Sequence, residues 1–313
     1  MSNEIVLSVI VCTYNGEMVL ASCLSSLINQ SFPKDKYEIL VIDNNSSDNS
    51  FKIANEYQSK YNIVHVFHEL ILGASNARNR GIFEARGNYI AFIDDDAKAK
   101  NDWCSNIVSA FSIVKPTPIA VGGIIYPYLN VNNLPKWYDD TLEIRSWGSQ
   151  KRFLNSHDRY FSGSNMSFSK HILMKYNGFS PNIGPKGSRF AVGEESELFN
   201  RILKKESFLL WYDATIIVYH LVKKDKLVLR NRLERARCAG IHNYRQNSHR
   251  RINLFWFSFN RAVFYLLKCI YFIIFLRFDS NLIICLQKLV SKLTTIRLII
   301  VNLGSKTEQV NDE

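Results

Sequence analysis

Two hydrophobic rhythms alternate along the first 125 residues. Ile5 through Cys12 is an unbroken, mostly β-branched run, the pattern of a strand buried on both faces. Val19, Leu20, Cys23, Leu24, Leu27 and Ile28 then recur at spacings of three and four, a helix stripe, with Pro33 beyond its end. Ile39–Ile42 predicts a second strand. Phe51, Ala54, Tyr57 and Tyr61 predict a second helix, capped by Ser47 or Asp48. Ile63–Phe67 is a third strand, Ala74–Ala85 a helix stopping before Gly87, and Tyr89–Ile93 a fourth strand. Trp103, Ile107, Phe111 and Val114 stripe another helix, and Val121–Ile125 is a fifth strand. Strand, helix, strand predicts right-handed crossovers and an α/β fold with a mostly parallel central sheet flanked by helices.

Residues 126–190 break this rhythm, with Pro127, Pro135, Pro181 and Pro185 among many aromatics. A helix resumes at 195, striped by Leu198, Phe199, Ile202 and Leu203. Strands near 208–212 and 215–219 follow, then a basic helical stretch, an apolar region over 254–303 and a polar, frayed tail from Ser305.

In a parallel sheet of this kind, ligands bind beyond the carboxyl ends of the strands. The residues just after the strands are therefore the informative ones. They are Thr13-Tyr14-Asn15, then Asp43-Asn44-Asn45-Ser46-Ser47-Asp48, then Asp94-Asp95-Asp96. Three adjacent carboxylates after a buried strand repel one another, and a hard divalent cation offsets that repulsion while keeping sites open for phosphates. The competing reading is a solvated acidic loop that caps the next helix.

The net charge of +11 is not spread evenly. Between residues 223 and 251, ten basic side chains face only Asp225 and Glu234, so this stretch holds most of the excess. A nucleic-acid binder that used its whole surface would not be so lopsided, and no nucleic-acid partner is expected. None of the six cysteines forms a C-x-x-C pair, and most sit in apolar runs, as buried thiols do in a reducing compartment. The run after Glu4 is too short for a signal peptide, so the N-terminal part is expected to stay in the cytoplasm.

Four segments occur in order: Ser8–Asn15 (SVIVCTYN), Val41–Asp48 (VIDNNSSD), Gly73–Gly81 (GASNARNRG) and Phe92–Asp96 (FIDDD). Together they resemble the donor-binding half of the family 2 glycosyltransferases, inverting enzymes of GT-A, Rossmann-like fold. Gly163–Ser167 (GSNMS), Asn177–Phe179 (NGF) and Gly193–Leu198 (GEESEL) resemble that family's acceptor-side segments.

The resemblance implies roles for particular residues. Thr13, Tyr14 and Asn15 would line the nucleobase and ribose, with Tyr14 stacking on the base. Asp43 or Asn44 would bond the base edge; many members carry two acids here, whereas this chain has Asn44 second. Arg78 and Asn79 would lie over the nucleotide or its phosphates. Asp94 and Asp95 would face the ribose, and Asp96 the Mn2+ or Mg2+ that bridges the diphosphate. His220, after Ile216–Tyr219, would complete the metal shell. The general base is usually the Asp of a Glu-Asp pair; here the pair is Glu194-Glu195, which gives the role to Glu195. Both acids also fall in the first turn of a helix, where the dipole favours them. Gly163, Asn165 and Glu194 would lie on the acceptor side. Trp137, Tyr138 and Trp147 offer faces for sugar rings, or pin a long loop to the core.

The expected activity is transfer of one sugar from a nucleotide-diphosphate sugar to an acceptor hydroxyl, in bacterial polysaccharide or glycolipid assembly. Uridine is chosen because it is the family's commonest base. The expected domains are a catalytic domain over 1–222 (donor half 1–125, acceptor half 126–222), a membrane-associating region over 223–304 and a tail over 305–313. Leu254–Leu276 is long enough to cross a bilayer at ~1.5 Å per residue. Arg261 and Lys268 interrupt it on one face, which favours a helix lying in the interface. Leu282–Leu303 is also apolar, with Lys288, Lys292 and Arg297, and the basic stretch before them suits an anionic membrane surface. The expectation is a protein peripheral or monotopic at the cytoplasmic face of a membrane, with a lipid-linked or oligosaccharide acceptor. A soluble helical subdomain or a dimer interface is the other reading of this region. A processive polysaccharide synthase would share the donor half, but normally adds a Q-x-x-R-W-type segment and several spans. A non-catalytic membrane-binding protein on the same fold would have no use for Asp96 and Glu195.

Overall fold

The four N-terminal apolar runs become β1 (Leu7–Thr13), β2 (Tyr37–Asp43), β3 (Val64–His68) and β4 (Tyr89–Asp94), joined by α1 (Leu20–Ile28), α2 (Ser50–Lys60) and α3 (Ala74–Glu84). They pair in parallel in the order β3-β2-β1-β4. Both faces of β1, β2 and β4 are covered, which is why their runs are continuous and not alternating, whereas β3 at the edge is half-buried. Leu7, Val9 and Val11 share one buried cluster with Leu24 and Leu27 of α1 and with Trp103 and Ile107 of α4 (Trp103–Ile113). Ile10 joins a second cluster with Ala77, Ile82 and Phe92. α2 starts after Asn49, one or two residues later than the expected cap, yet the Asp48 carboxylate still accepts the Ser50 N–H at 2.9 Å. The computed structural model describes residues 4–131, 133–156, 158, 160–186, 193–247, 251–275 and 277–308. Arg250, Leu276 and the tail beyond 308 lie outside the described residues.

Past β4 the sheet is mixed. β5 (Ala97–Ala99), β6 (Ala120–Tyr128), β7 (Arg152–Phe153), β8 (Met166–Ser169) and β9 (Leu210–Leu221) extend it, in the order β3-β2-β1-β4-β8-β6-β9-β5 with β7 on β9. β8 is antiparallel to both β4 and β6, whereas β6 and β9 are parallel. β7 and β8 arise within the stretch that reads as irregular. The two strands expected near 208–212 and 215–219 are one strand. Gly122 pairs with Tyr212 and Ile124 with Ile217, so residues 213–216 bulge opposite Gly123. There the buried Asp213 carboxylate accepts the Thr215 N–H at 2.8 Å and its hydroxyl at 2.6 Å. That bulge interrupts the apolar pattern without ending the ladder. α5 (Lys170–Lys175) and α6 (Glu194–Leu203) complete the helices around the sheet.

The chain divides into two compact units. One carries the sheet: it runs through Tyr128, resumes at Glu143 and closes at Leu221. The other joins Leu129–Leu142 to the chain from Val222 onward, in α7 (Leu229–Asn247), α8 (Arg251–Ile274) and α9 (Ser280–Glu308). Leu129–Leu142 therefore belongs with the helical unit and not with the acceptor half. α9 continues to Glu308, past the point where fraying was expected, and packs along both α7 and α8. In α8, Leu254, Ser258, Ala262 and Cys269 are buried, while Trp256, Phe257, Leu267 and Ile274 are more than half exposed. Asn253–Ile274 is long and apolar enough to cross a membrane by length and composition. All six cysteines are free thiols.

Candidate active site

Strand register brings the acidic residues to one rim. Thr13 pairs with Asp43 across β1–β2, and Cys12 with Asp94 across β1–β4. Asp43 and Asp94 thus flank β1, two strand spacings or about 10 Å apart. Asp96 precedes β5, whose antiparallel pairing with β9 sets Ala97 opposite His220. His220 Nε2 then lies 3.4 Å from Asp94 Oδ2 and 3.3 Å from Asp96 Oδ1. The ligand atoms of all three lie within 4.8 Å of one another. His220 Nδ1 sits 3.1 Å from the Leu221 carbonyl oxygen. A carbonyl only accepts, so Nδ1 carries a proton, which leaves Nε2 facing the two carboxylates. Two oxygens and one imidazole nitrogen converging in this way need a positive charge among them and suit Mn2+ or Mg2+. The residues fit a divalent cation. Asp94, assigned from sequence to the ribose, joins Asp96 and His220 in this set. Burial alone would raise the Asp94 carboxyl, but the hydrogen bond and charge of His220, then Arg78 and Ser164, hold it below the usual carboxylate range. The Ser164 hydroxyl donates to Asp94 Oδ2 at 2.6 Å, a contact that the sequence did not signal.

Arg78 is not spread over an open nucleotide site. It is buried, with Nη1 3.0 Å from Glu194 Oε1 and Nη2 3.7 Å from Asp94 Oδ1 and 3.8 Å from Glu195 Oε1. Its guanidinium also lies over the Phe179 ring at 5.2 Å. Burial would lower the Arg78 pKa, but Glu195, Glu194 and Asp94 together push it above the ordinary value. Glu195 is 23 % exposed in its side chain and accepts the Gly163 N–H at 3.2 Å. Burial, then the Glu194 charge, outweigh Arg78 and raise the Glu195 carboxyl to about 7. A Cβ at Gly163 would stand 2.4 Å from Arg78 Nη2 and 2.8 Å from Glu195 Oε1, so only glycine lets the three meet. Beside Glu195 opens a cavity of about 310 Å³, whose lining includes Arg145, Asp158, Tyr160, Phe161 and Ser162.

The other sequence-assigned residues divide into two groups. Thr13 Oγ1 donates to Asp95 Oδ2 at 2.6 Å, tying the ends of β1 and β4, and Tyr14 is exposed at the rim. Gly16 is needed there, because a Cβ would fall 2.3 Å from Asp95 Oδ2. Asn15, at φ 53°, accepts the Ser47 N–H at 2.8 Å and joins the loops after β1 and β2. Asp43 is buried, with Oδ2 bonded by the Ser46 N–H at 3.2 Å and Oδ1 unpartnered. The remaining residues are engaged by other protein groups. Asn44 donates to the Glu69 and Ile71 carbonyls at 3.1 and 2.9 Å and accepts the Gly73 N–H at 2.7 Å, so its side-chain amide is engaged by the backbone. Asn79 is bonded on both sides to the Phe179 backbone, at 2.7 and 2.8 Å. Asn165 holds the Ile124 and Ile216 carbonyls and the Trp103 indole N–H, so it fastens β6, β9 and α4. Glu194 anchors Arg78. Trp147 packs edge-on against Phe161 at 5.5 Å, the core-pinning alternative. Trp137 belongs to the helical unit, with the Arg232 guanidinium 5.4 Å over its ring, and is not in the sheet unit that carries Glu195.

A family model described as Glycosyl transferase family 2 matches residues 8–176, just over half of the chain. The chain belongs to glycosyl transferase family 2. Similar proteins include the poly(ribitol-phosphate) beta-glucosyltransferase of Bacillus spizizenii, 41 % identical over 92 residues. That match covers 29 % of this chain and only 14 % of the relative. The glucosyl-dolichyl phosphate glucuronosyltransferase of Haloferax volcanii is 25 % identical over 220 residues, 68 % of either chain. Among solved structures, a mannosyltransferase of Pyrobaculum calidifontis in complex with GDP-Man and Mn2+ superposes with a TM-score of 0.56 at 19 % identity. It covers 75 % of this chain and 62 % of that one, a likeness of fold. The fold is thus GT-A-like. Glu195 and His220 lie outside the stretch that the family 2 model matches; they reach the rim through α6 and β9.

Proposed function

We propose that this glycosyltransferase moves one sugar from a UDP-sugar to an acceptor hydroxyl with inversion, Glu195 acting as general base. The observation that carries this reading is Arg78, which stands between Asp94 of the cation set and Glu195 and so joins the two halves of the chemistry. Glu195 is the acid on that rim with a carboxyl raised to about 7, suited to taking a proton from an attacking hydroxyl near neutral pH. A divalent cation bound by Asp94, Asp96 and His220 supplies the positive charge that a departing diphosphate requires. Asp43 Oδ1, buried and without a partner, is an acceptor waiting for a donor, and the imide N–H of uracil supplies one. Tyr14 offers its exposed ring to the same base. Assaying release of the nucleoside diphosphate from UDP-, dTDP- and GDP-sugars, with and without Mn2+, tests the proposal. A UDP-sugar should be used only with the metal; absence of donor binding across the panel would sink it.

The proposal includes a lipid-linked acceptor and attachment to the cytoplasmic face of a membrane through α8. Over Asn253–Ile274 its outward side chains are mostly apolar, and Arg261 and Lys268 fold back over Phe257 and Phe264 at 5.8 and 4.9 Å. Cations folded among apolar side chains, with no acid in this helix, suit an anionic interface. Flotation with phosphatidylglycerol vesicles should recover the full chain. Equal recovery of a Trp256→Glu, Leu267→Glu double variant would count against α8 as the contact.

A further inference from the structure

The cavity beside Glu195 carries an arginine that the chemistry at the rim does not use. Arg145 is fixed by its backbone, which exchanges two hydrogen bonds with Ile125 at 3.0 Å each, just inside the end of β6. Its Nη1 donates to the Ser162 hydroxyl at 2.7 Å, which holds the guanidinium against the cavity wall. Among the described residues no carboxylate lies within 4.0 Å of it. The other charges of the cavity are already answered. Asp158 is gripped by Arg152 through two bonds, at 2.8 and 3.0 Å, and by the Asn155 N–H at 2.8 Å. Glu195 faces Arg78. Tyr160 and Phe161 give the cavity an aromatic wall, and a volume of about 310 Å³ suits a single sugar or polyol unit bearing one substituent.

We infer that the acceptor unit is acidic, and that its oxyanion, a phosphate ester or a uronic carboxylate, forks onto Arg145 while its hydroxyl meets Glu195. This rests on the reading of Glu195 as the acceptor-side base. A guanidinium offers paired N–H groups in the geometry that both oxyanions accept, and with one donor already on Ser162 it keeps the rest for a ligand. Arg145 is exposed and hydrated while the cavity is empty, so an acceptor that covers it must replace that water, which an oxyanion does and a neutral unit does not. An oxyanion at Arg145 also fixes which hydroxyl reaches Glu195, so the contact selects both the acceptor and its linkage.

The test uses the full chain, saturated with UDP and Mn2+, in ligand-observed NMR titrations of matched pairs. One pair is ribitol 5-phosphate and ribitol; the other is methyl glucuronide and methyl glucoside. At least one acidic member should bind about tenfold more tightly than its neutral partner, with the preference falling as salt rises. The pair that shows the preference identifies phosphate or carboxylate as its source. Arg145→Ala should erase the preference, Arg145→Lys should keep part of it, and both should retain the thermal shift produced by UDP and Mn2+. Equal binding within both pairs, or a preference that survives Arg145→Ala, overturns the inference. Loss of the UDP and Mn2+ shift in the unsubstituted protein would instead undo the donor-site reading, which the acceptor titrations do not measure.

Discussion

Arg78 Nη1 donates to Glu194 Oε1 at 3.0 Å across 116 residues of sequence, and both side chains are buried. Removing one member of such a pair leaves the other as an uncompensated buried charge. Arg78→Ala should therefore destabilise the sheet unit by about 3–5 kcal/mol in urea unfolding. A variant as stable as the parent would show that Glu194 is solvated and the clamp idle.

Glu195→Gln keeps the shape of the side chain and removes the base. Donor binding, followed as the thermal shift with UDP-sugar and Mn2+, should persist, while transfer falls about 10²–10⁴-fold. Transfer at the parental rate would assign the proton to another group.

The pH profile carries a signed expectation. The Glu195 carboxyl is raised to about 7 by burial and then by Glu194, and a general base works only when ionised. The transfer rate should fall about tenfold per pH unit below that value and level off above it. Glu194→Gln removes a charge that raises Glu195, so the acidic limb should move to lower pH. A limb that stays in place after this change would detach it from Glu195.

At the cation set, His220→Ala removes the nitrogen and leaves Asp94 and Asp96 to repel each other. Calorimetric titration should show weaker Mn2+ binding, and chelation by EDTA should stop transfer by the parent. Unchanged Mn2+ affinity in the variant would remove His220 from the shell.

Gly163→Ala places a methyl group against Arg78 Nη2 and Glu195 Oε1. Transfer should be lost with far less loss of stability than in Arg78→Ala, because both side chains have rotamers into which to retreat. Steady-state assay beside urea unfolding separates the two effects.

The strands β1, β2 and β4 and the polar residues at their ends were legible because a run buried on both faces is mostly apolar, and the chain turns polar where it leaves the sheet. β5 was not: Ala97-Lys98-Ala99 has no pattern of its own and is a strand because β9 lies beside it. The fate of Arg78, Asn79 and Asn165 was hidden for a related reason. Their partners are Glu194, Phe179 and the carbonyls of Ile124 and Ile216, distant in sequence, and a polar residue near a rim looks the same whether it meets a ligand or the backbone. Arg145 carried no signal either, since it sits in an aperiodic stretch and gains meaning only from the cavity it lines.

β9 is the last strand laid down in the sheet unit, and His220 stands at its far end, across from the residue that follows Asp96. A nascent chain still short of this strand carries the paired aspartates but has no third ligand to hold an ion between them. On the proposed mechanism, the cation set is therefore complete only once residue 220 has left the ribosome and β9 has docked.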